Sequence, residues 1–215
     1  MSTDSLGKAN ERRDLVRQAF GLEYFTLAWM AIEAGIAIGS GVAANSLTLT
    51  AFGIDSLIEL ASAGVLIWRL TVELRHGKAF AETAERTASR IGGALLFALA
   101  TYVIASAGWK LWARQGAAFS APGLIITMLA IPVMWALARR KLAVADALGS
   151  RALRADAVES LTCGWLAFVV IAALVAQLLI GAWWVDALAS LGIVWFVLRE
   201  GREAWDNKAC CDHCM

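Results

Sequence analysis

The sequence predicts an all-α membrane protein of six transmembrane helices with both termini on the cytoplasmic side. Three observations carry that prediction. Hydrophobic residues make up 60% of the 215 positions and charged residues only 17%, against roughly 45–50% and 25% in an average soluble domain, and mean hydropathy is +0.64. The apolar residues gather into stretches long enough to cross a bilayer, and the basic residues fall almost entirely in alternate connections. The same composition excludes disorder, which needs low hydrophobicity. A disulfide scaffold does not fit either, because three of the four cysteines lie in the last six residues. Nucleic-acid binding has no basic surplus to draw on, with 19 Lys and Arg against 18 Asp and Glu.

A crossing helix needs ~20 largely apolar residues. The first span is expected over Leu22–Ala44 and the second over Leu47–Leu70, joined through Asn45 and Ser46. The third covers Ile91–Trp112. The fourth covers Ala117–Ala138, with Pro122 near its start and Pro132 near its end. The final apolar stretch, Ala157–Leu198, has 42 residues. As one helix it would be ~63 Å long, about twice the hydrocarbon core. It must fold back, and Gly181-Ala182-Trp183-Trp184 is the expected turn, so two more spans follow. Seventeen of the 19 basic residues lie before span 1, at the end of span 2 (Arg69) or between spans 2 and 3, between spans 4 and 5, or after span 6; the opposite side has only Lys110 and Arg114. That bias sets the orientation. Trp68, Trp109, Trp112, Trp183 and Trp184 fall close to span ends, at headgroup level.

Three regions follow: a cytoplasmic segment over 1–20, the six-helix domain over 21–200, and a cytoplasmic tail over 201–215 that carries Cys and His. The first segment is polar and has no apolar core of a secretory signal. Its run Asn10–Phe20 fits either a short amphipathic helix on the cytoplasmic face or a solvated tail.

Ionisable groups inside a bilayer are costly and mark a pathway or a site. They are Glu23 and Glu33 in span 1, Asp55 and Glu59 in span 2, Glu159 in span 5 and Asp186 at the head of span 6, with Asp156 at the cytoplasmic entrance to span 5. Glu23, near a membrane surface, reads first as a packing residue. Glu33 stands between packing and pathway, and Asp186 reads first as the cap of its own helix. Asp55 and Glu59 are one helical turn apart, so two like charges share a face and repel unless something binds between them. Glu159 and Cys163 repeat that spacing, although Cys163 alone would be a small apolar core residue. Neither pair has a basic residue nearby in its own span. Three carboxylates and a thiol from two helices make a four-coordinate site, and oxygen with one sulfur suits zinc or another borderline metal better than magnesium or calcium.

These residues resemble a family. Gly53-Ile54-Asp55-Ser56-Leu57-Ile58-Glu59-Leu60 is similar to the second transmembrane helix of the cation diffusion facilitators, where two metal ligands are separated by three positions. Leu153-Arg154-Ala155-Asp156-Ala157-Val158-Glu159-Ser160-Leu161-Thr162-Cys163 resembles their fifth helix, with its alanine-aspartate step followed by His-x-x-x-Asp. Trp184-Val185-Asp186-Ala187-Leu188 resembles the start of their sixth. The resemblance implies that Asp55, Glu59, Glu159 and Cys163 hold the metal. Glu159 stands where the family has histidine and Cys163 where it has aspartate, which leaves the metal's identity open and admits Ser160 or Asp156 as a further donor.

The family also carries a cytoplasmic metal-binding domain after its sixth helix, whereas about seventeen residues follow Leu198 here, too few for a domain with a core. The expectation is a facilitator reduced to its membrane part. Cys210, Cys211, His213 and Cys214 read as further metal ligands that collect or sense the ion, or as incidental thiols of a frayed end.

The function expected is proton-coupled efflux of a divalent cation, with zinc as the transported substrate and cadmium as a mimic. Clustered acids withdrawn from water hold protons, and a metal expels them on binding. The alternatives are a metal channel without proton coupling and a non-transporting membrane interaction protein. An enzyme is not expected, since Ser160 has no histidine nearby and His76 and His213 lie outside the spans. The partners are metal ion, protons and lipid, with no nucleic acid. A homodimer is implied by the resemblance, and Ala61, Ser62, Ala63 and Gly64 would permit close helix approach. The plasma (inner) membrane is the expected location.

Overall fold

The computed structural model describes residues 3–76 and 78–206. It consists of α1 (Thr3–Ala43), α2 (Leu47–His76), α3 (Lys78–Trp112), α4 (Ala121–Leu148), α5 (Arg151–Ile180) and α6 (Val185–Asp206), with no strand among the described residues. The protein is an all-α membrane protein. Five helices are long and apolar enough to cross a bilayer, over 13–43, 47–68, 93–112, 121–148 and 156–180. The sixth has 22 residues, ~33 Å of helix. It carries Asp186 at its head and Arg199, Glu200 and Arg202 in its second half, and it packs along α3.

Helix ends depart from the expected spans, and the reason is physical. Hydropathy marks where the chain meets hydrocarbon, whereas a helix continues into water as long as its residues tolerate it. α1 has 41 residues and α3 has 35, ~62 and ~52 Å against a core of ~30 Å. The segment Asn10–Phe20 is therefore continuous with span 1 rather than a separate surface helix. Charged residues placed in the loop between spans 2 and 3 lie on the extensions of α2 and α3. α4 starts later than expected because Ser120 is its cap. The Ser120 hydroxyl accepts from Gly123 N at 3.1 Å, and Pro122 occupies the first turn, where a missing N–H costs nothing. α4 then runs through Pro132 to Leu148 rather than stopping at Ala138. The turn expected at 181–184 is present. Gly181 ends α5 with φ of 63°, and its N–H bonds to Gln177 O at 2.9 Å.

The packing is inverted relative to a soluble protein. Buried positions include Phe52, Met30, Leu49, Met134, Leu166 and Ile193. Trp165, Ile125, Trp195 and Leu179 are each more than half exposed. Lipid is the solvent that tolerates such a surface. α2 is the central helix, in contact with α1, α3, α5 and α6. It approaches α1 closely at Gly53, where a Cβ would sit 2.7 Å from Ile38 Cγ1 and 2.8 Å from Ile38 N. Backbone cannot yield as a flexible side chain can. Gly53→Ala is expected to cost about 1–3 kcal/mol, read as a lower midpoint of thermal unfolding in detergent; an unchanged midpoint would mean that α1 and α2 part freely.

At the end of the molecule where α1 meets α2, two connections and the end of α5 are laced together. Ala118 N donates to Ala44 O at 2.8 Å, Asn45 Nδ2 to Gly116 O at 3.3 Å and Gln177 Nε2 to Ala117 O at 2.8 Å. Asp186 is the centre of this end, and its role differs from the one expected. It caps α2, not its own helix: its carboxylate accepts from Ser46 Oγ at 2.7 Å, Leu47 N at 2.7 Å and Thr48 N at 3.3 Å. Lys110, reaching from α3, lies 3.4 Å from the same carboxylate and also donates to Asn45 O. Lys110 is thus a buried counter-ion of an acid rather than a marker of the outer surface.

Candidate metal centre

The centre forms where α1, α2 and α5 meet. Asp55 and Glu59 project from α2 and are 1% and 7% exposed. Asp55 Oδ2 and Glu59 Oε1 are buried and have no hydrogen-bond partner. Such an atom ordinarily costs about 1–3 kcal/mol, and more when charged. On α5, Cys163 is fully buried. Glu159 is partly buried, and its Oε2 accepts from Ser62 Oγ at 3.2 Å. Ser62, three residues after Glu59 on α2, thus reaches Glu159 across the contact between α2 and α5. The two i, i+4 pairs therefore face the same interior.

A fifth group joins them that sequence reasoning did not count among the ligands. Glu33 of α1 is fully buried. Its Oε1 accepts from Ser56 Oγ at 2.8 Å and from Cys163 Sγ at 3.7 Å, and its Oε2 accepts from Trp29 Nε1 at 2.6 Å. Unlike Asp55, Glu33 has a donor on each oxygen, so its position is fixed by the protein. The signal was in the helical phase. Ala19, Glu23, Thr26, Met30, Glu33 and Ala37 recur at intervals of three and four and are all buried, which places both acids on the inward stripe.

Among the described residues no three His, Cys, Asp or Glu side chains converge closely enough to hold a metal ion. The centre is a loose ring of acids that a cation would have to draw inward. The pocket of about 460 Å³ near Lys110, lined by Thr50, Tyr102, Ser106 and Trp109, contains none of the candidate ligands. Asp156 points to another partner. Its carboxylate contacts Lys141 Nζ, and Lys141 Nζ also lies 3.3 Å from Glu23 Oε1. Glu23 and Asp156 therefore share one basic partner, and Lys141 leaves the set of cytoplasmic surface charges: it is fully buried. Its phase gives it away, since Met134, Leu137, Ala138, Lys141, Val144 and Ala145 form one buried stripe, while Arg139 and Arg140 face outward. Ser160 Oγ donates to Asp156 O at 3.1 Å along its own helix. Cys210, Cys211, His213 and Cys214 lie outside the described residues.

A helical membrane protein whose interior concentrates acids on three contacting helices belongs to the class that attracts cations into the bilayer. Residues 25–207 match the cation efflux transmembrane domain, and the chain belongs to the cation efflux family, the cation diffusion facilitators. The family's members are transporters rather than enzymes. The chain is also 29% identical over 177 residues to an uncharacterized transporter of Synechocystis sp.. That alignment covers 78% of this chain and 55% of the relative, so the chain spans about half of that protein's length.

Proposed function

We propose that the protein exports a divalent metal cation, zinc first and cadmium as a mimic, in exchange for protons, with Asp55, Glu59, Glu159 and Cys163 as the ligands. One observation supports this above the others: two carboxylate oxygens one turn apart on α2 are buried without any hydrogen-bond partner. Burying unpartnered acid oxygens is costly, and a cation or a proton on each relieves the cost. Four ligands bear roughly four negative charges when ionised, and a divalent cation cancels two, so the centre alternates between proton-loaded and metal-loaded forms. Moving a cation outward against an inside-negative potential costs ~2.3 kcal/mol per charge per 100 mV, and inward protons offset it. Three oxygen donors and one sulfur favour zinc over magnesium or calcium.

In this reading the protein works as a homodimer in the plasma membrane, and Cys210, Cys211, His213 and Cys214 collect the ion on the cytoplasmic side. The test is a zinc gradient imposed across proteoliposomes that hold the purified protein and an internal pH dye. Zinc entry accompanied by opposite proton movement is expected. Zinc flux without proton movement would reduce the protein to a channel, and neither flux would end the transport reading.

A further inference from the structure

The buried Glu23–Lys141–Asp156 cluster is not used by the centre just described, yet it stands directly beside it. Lys141 reaches from α4 to a carboxylate of α1 and a carboxylate of α5, with its Nζ 3.3 Å from Glu23 Oε1, 3.4 Å from Glu23 Oε2, and in contact with Asp156 Oδ2. Glu23 and Lys141 are fully buried and Asp156 nearly so. Glu23 Oε1 accepts no hydrogen bond; the nearby ammonium is aligned with its other oxygen. Asp156 is one turn before Glu159 on α5, and both Asp156 and Lys141 act electrostatically on Glu159. The cluster lies about twenty residues from the α1–α2 end of α1 and from the start of α4, roughly 30 Å of helix. That places it at the opposite edge of the hydrocarbon core, next to the exposed Arg139 and Arg140.

Charge counting decides what such a cluster can hold. When both carboxylates are ionised, the single ammonium leaves one negative charge uncompensated in a low-dielectric interior, which is unfavourable. A divalent cation between the two carboxylates balances them. Lys141 is a cation on a flexible stem, and its neighbours Arg139 and Arg140 on α4 are exposed. We propose that Glu23 and Asp156 form an entrance station for the transported divalent cation, and that the Lys141 ammonium is a tethered stand-in that holds the station until a metal displaces it toward water. The ion then passes from Asp156 to Glu159, one turn along the same helix. This rests on the efflux reading of the Asp55–Glu59 centre and adds a second, weaker site on the cytoplasmic side of it.

The experiment counts zinc ions bound per chain by equilibrium dialysis in detergent, for four proteins that all carry Cys210→Ser, Cys211→Ser, His213→Ala and Cys214→Ser, so that the tail adds no ion to the count. Wild type is expected to bind one, at the centre, because Lys141 occupies the station. Lys141→Ala is expected to bind two. Asp55→Asn/Glu59→Gln is expected to bind none, and the same double variant with Lys141→Ala is expected to bind one. Wild type binding none would overturn the reading of the centre. Lys141→Ala gaining no ion, in either background, would overturn the station and leave the centre intact. If Lys141→Ala does not fold, Glu23→Gln decides, because it leaves a balanced Lys141–Asp156 pair. With zinc supplied from the side of the termini, Glu23→Gln is expected to raise the half-saturating concentration at least tenfold, and by a larger factor than it lowers turnover. An unchanged half-saturating concentration makes the triad a structural ion pair only.

Discussion

Asp55→Asn is expected to slow zinc-driven proton movement at least about a hundredfold, equivalent to ~2.7 kcal/mol, while leaving the folded protein as stable as wild type or more so. Both halves follow from one fact. Asp55 is 1% exposed, and its Oδ2 has no partner. Its neighbours Glu33 and Glu59 are acids that interact with it across the interior. The side chain therefore contributes no hydrogen bond through that oxygen. An amide has the same shape and carries neither the charge nor the acidic proton. In the proposed exchange, removing the charge removes a ligand and an exchangeable proton together, so transport would fail by both routes. Removing it also relieves repulsion, which is the expected exchange of stability for function at a binding site. Flux in proteoliposomes and thermal unfolding in detergent read the two halves separately. A variant that keeps full coupled flux would remove Asp55 from the cation path, and a variant that unfolds would assign it to packing.

How much was legible in the sequence depends on what each feature had to satisfy. The number of helices and the turn at Gly181 follow from bilayer length alone, because a stretch of 42 apolar residues cannot cross once. Helix ends do not, since nothing in hydropathy stops α3 from beginning at Lys78, well before its apolar part. The pairing of Asp55 with Glu59 was visible in the i, i+4 spacing. The meeting of α2 with α1 at Glu33 was not, because contact between helices depends on small residues such as Gly53, whose partner Ile38 lies on a different helix. Lys141 shows the same limit. The positive-inside bias counts it among the surface charges of the expected inner side, yet its helical phase turns it inward to Glu23 and Asp156, and charge counting by segment is blind to phase. Asp186 was rightly placed at a helix N-terminus; that the helix it caps is α2 depends on the fold bringing residue 46 next to residue 186.

Asp186→Ala is expected to be the most destabilising of these substitutions, in contrast to Asp55→Asn, although both remove a buried aspartate. Asp186 accepts hydrogen bonds from Ser46 Oγ, Leu47 N and Thr48 N, and it faces Lys110 Nζ at 3.4 Å. Alanine leaves two orphan N–H groups at the start of α2, where losing a cap costs about 1 kcal/mol. It also leaves the Lys110 ammonium, 9% exposed, beside only the Asn45 carbonyl. Breaking one side of a buried ion pair costs about 3–5 kcal/mol, which for a chain of this size lowers the unfolding midpoint by roughly 10 °C. The two contributions separate in a double-mutant cycle. Lys110→Met on top of Asp186→Ala removes the stranded charge and should recover part of the loss, while Asp186→Asn keeps an acceptor for the caps and should fall between. No recovery in the double variant would assign the whole effect to the caps, and an unchanged midpoint in Asp186→Ala would mean that the laced end of the bundle is held by its loops alone. Because Asp186 touches none of the candidate ligands, the folded fraction of Asp186→Ala should still bind as many zinc ions per chain as wild type. That retained stoichiometry is what distinguishes an acid that holds helices together from one that holds the cargo.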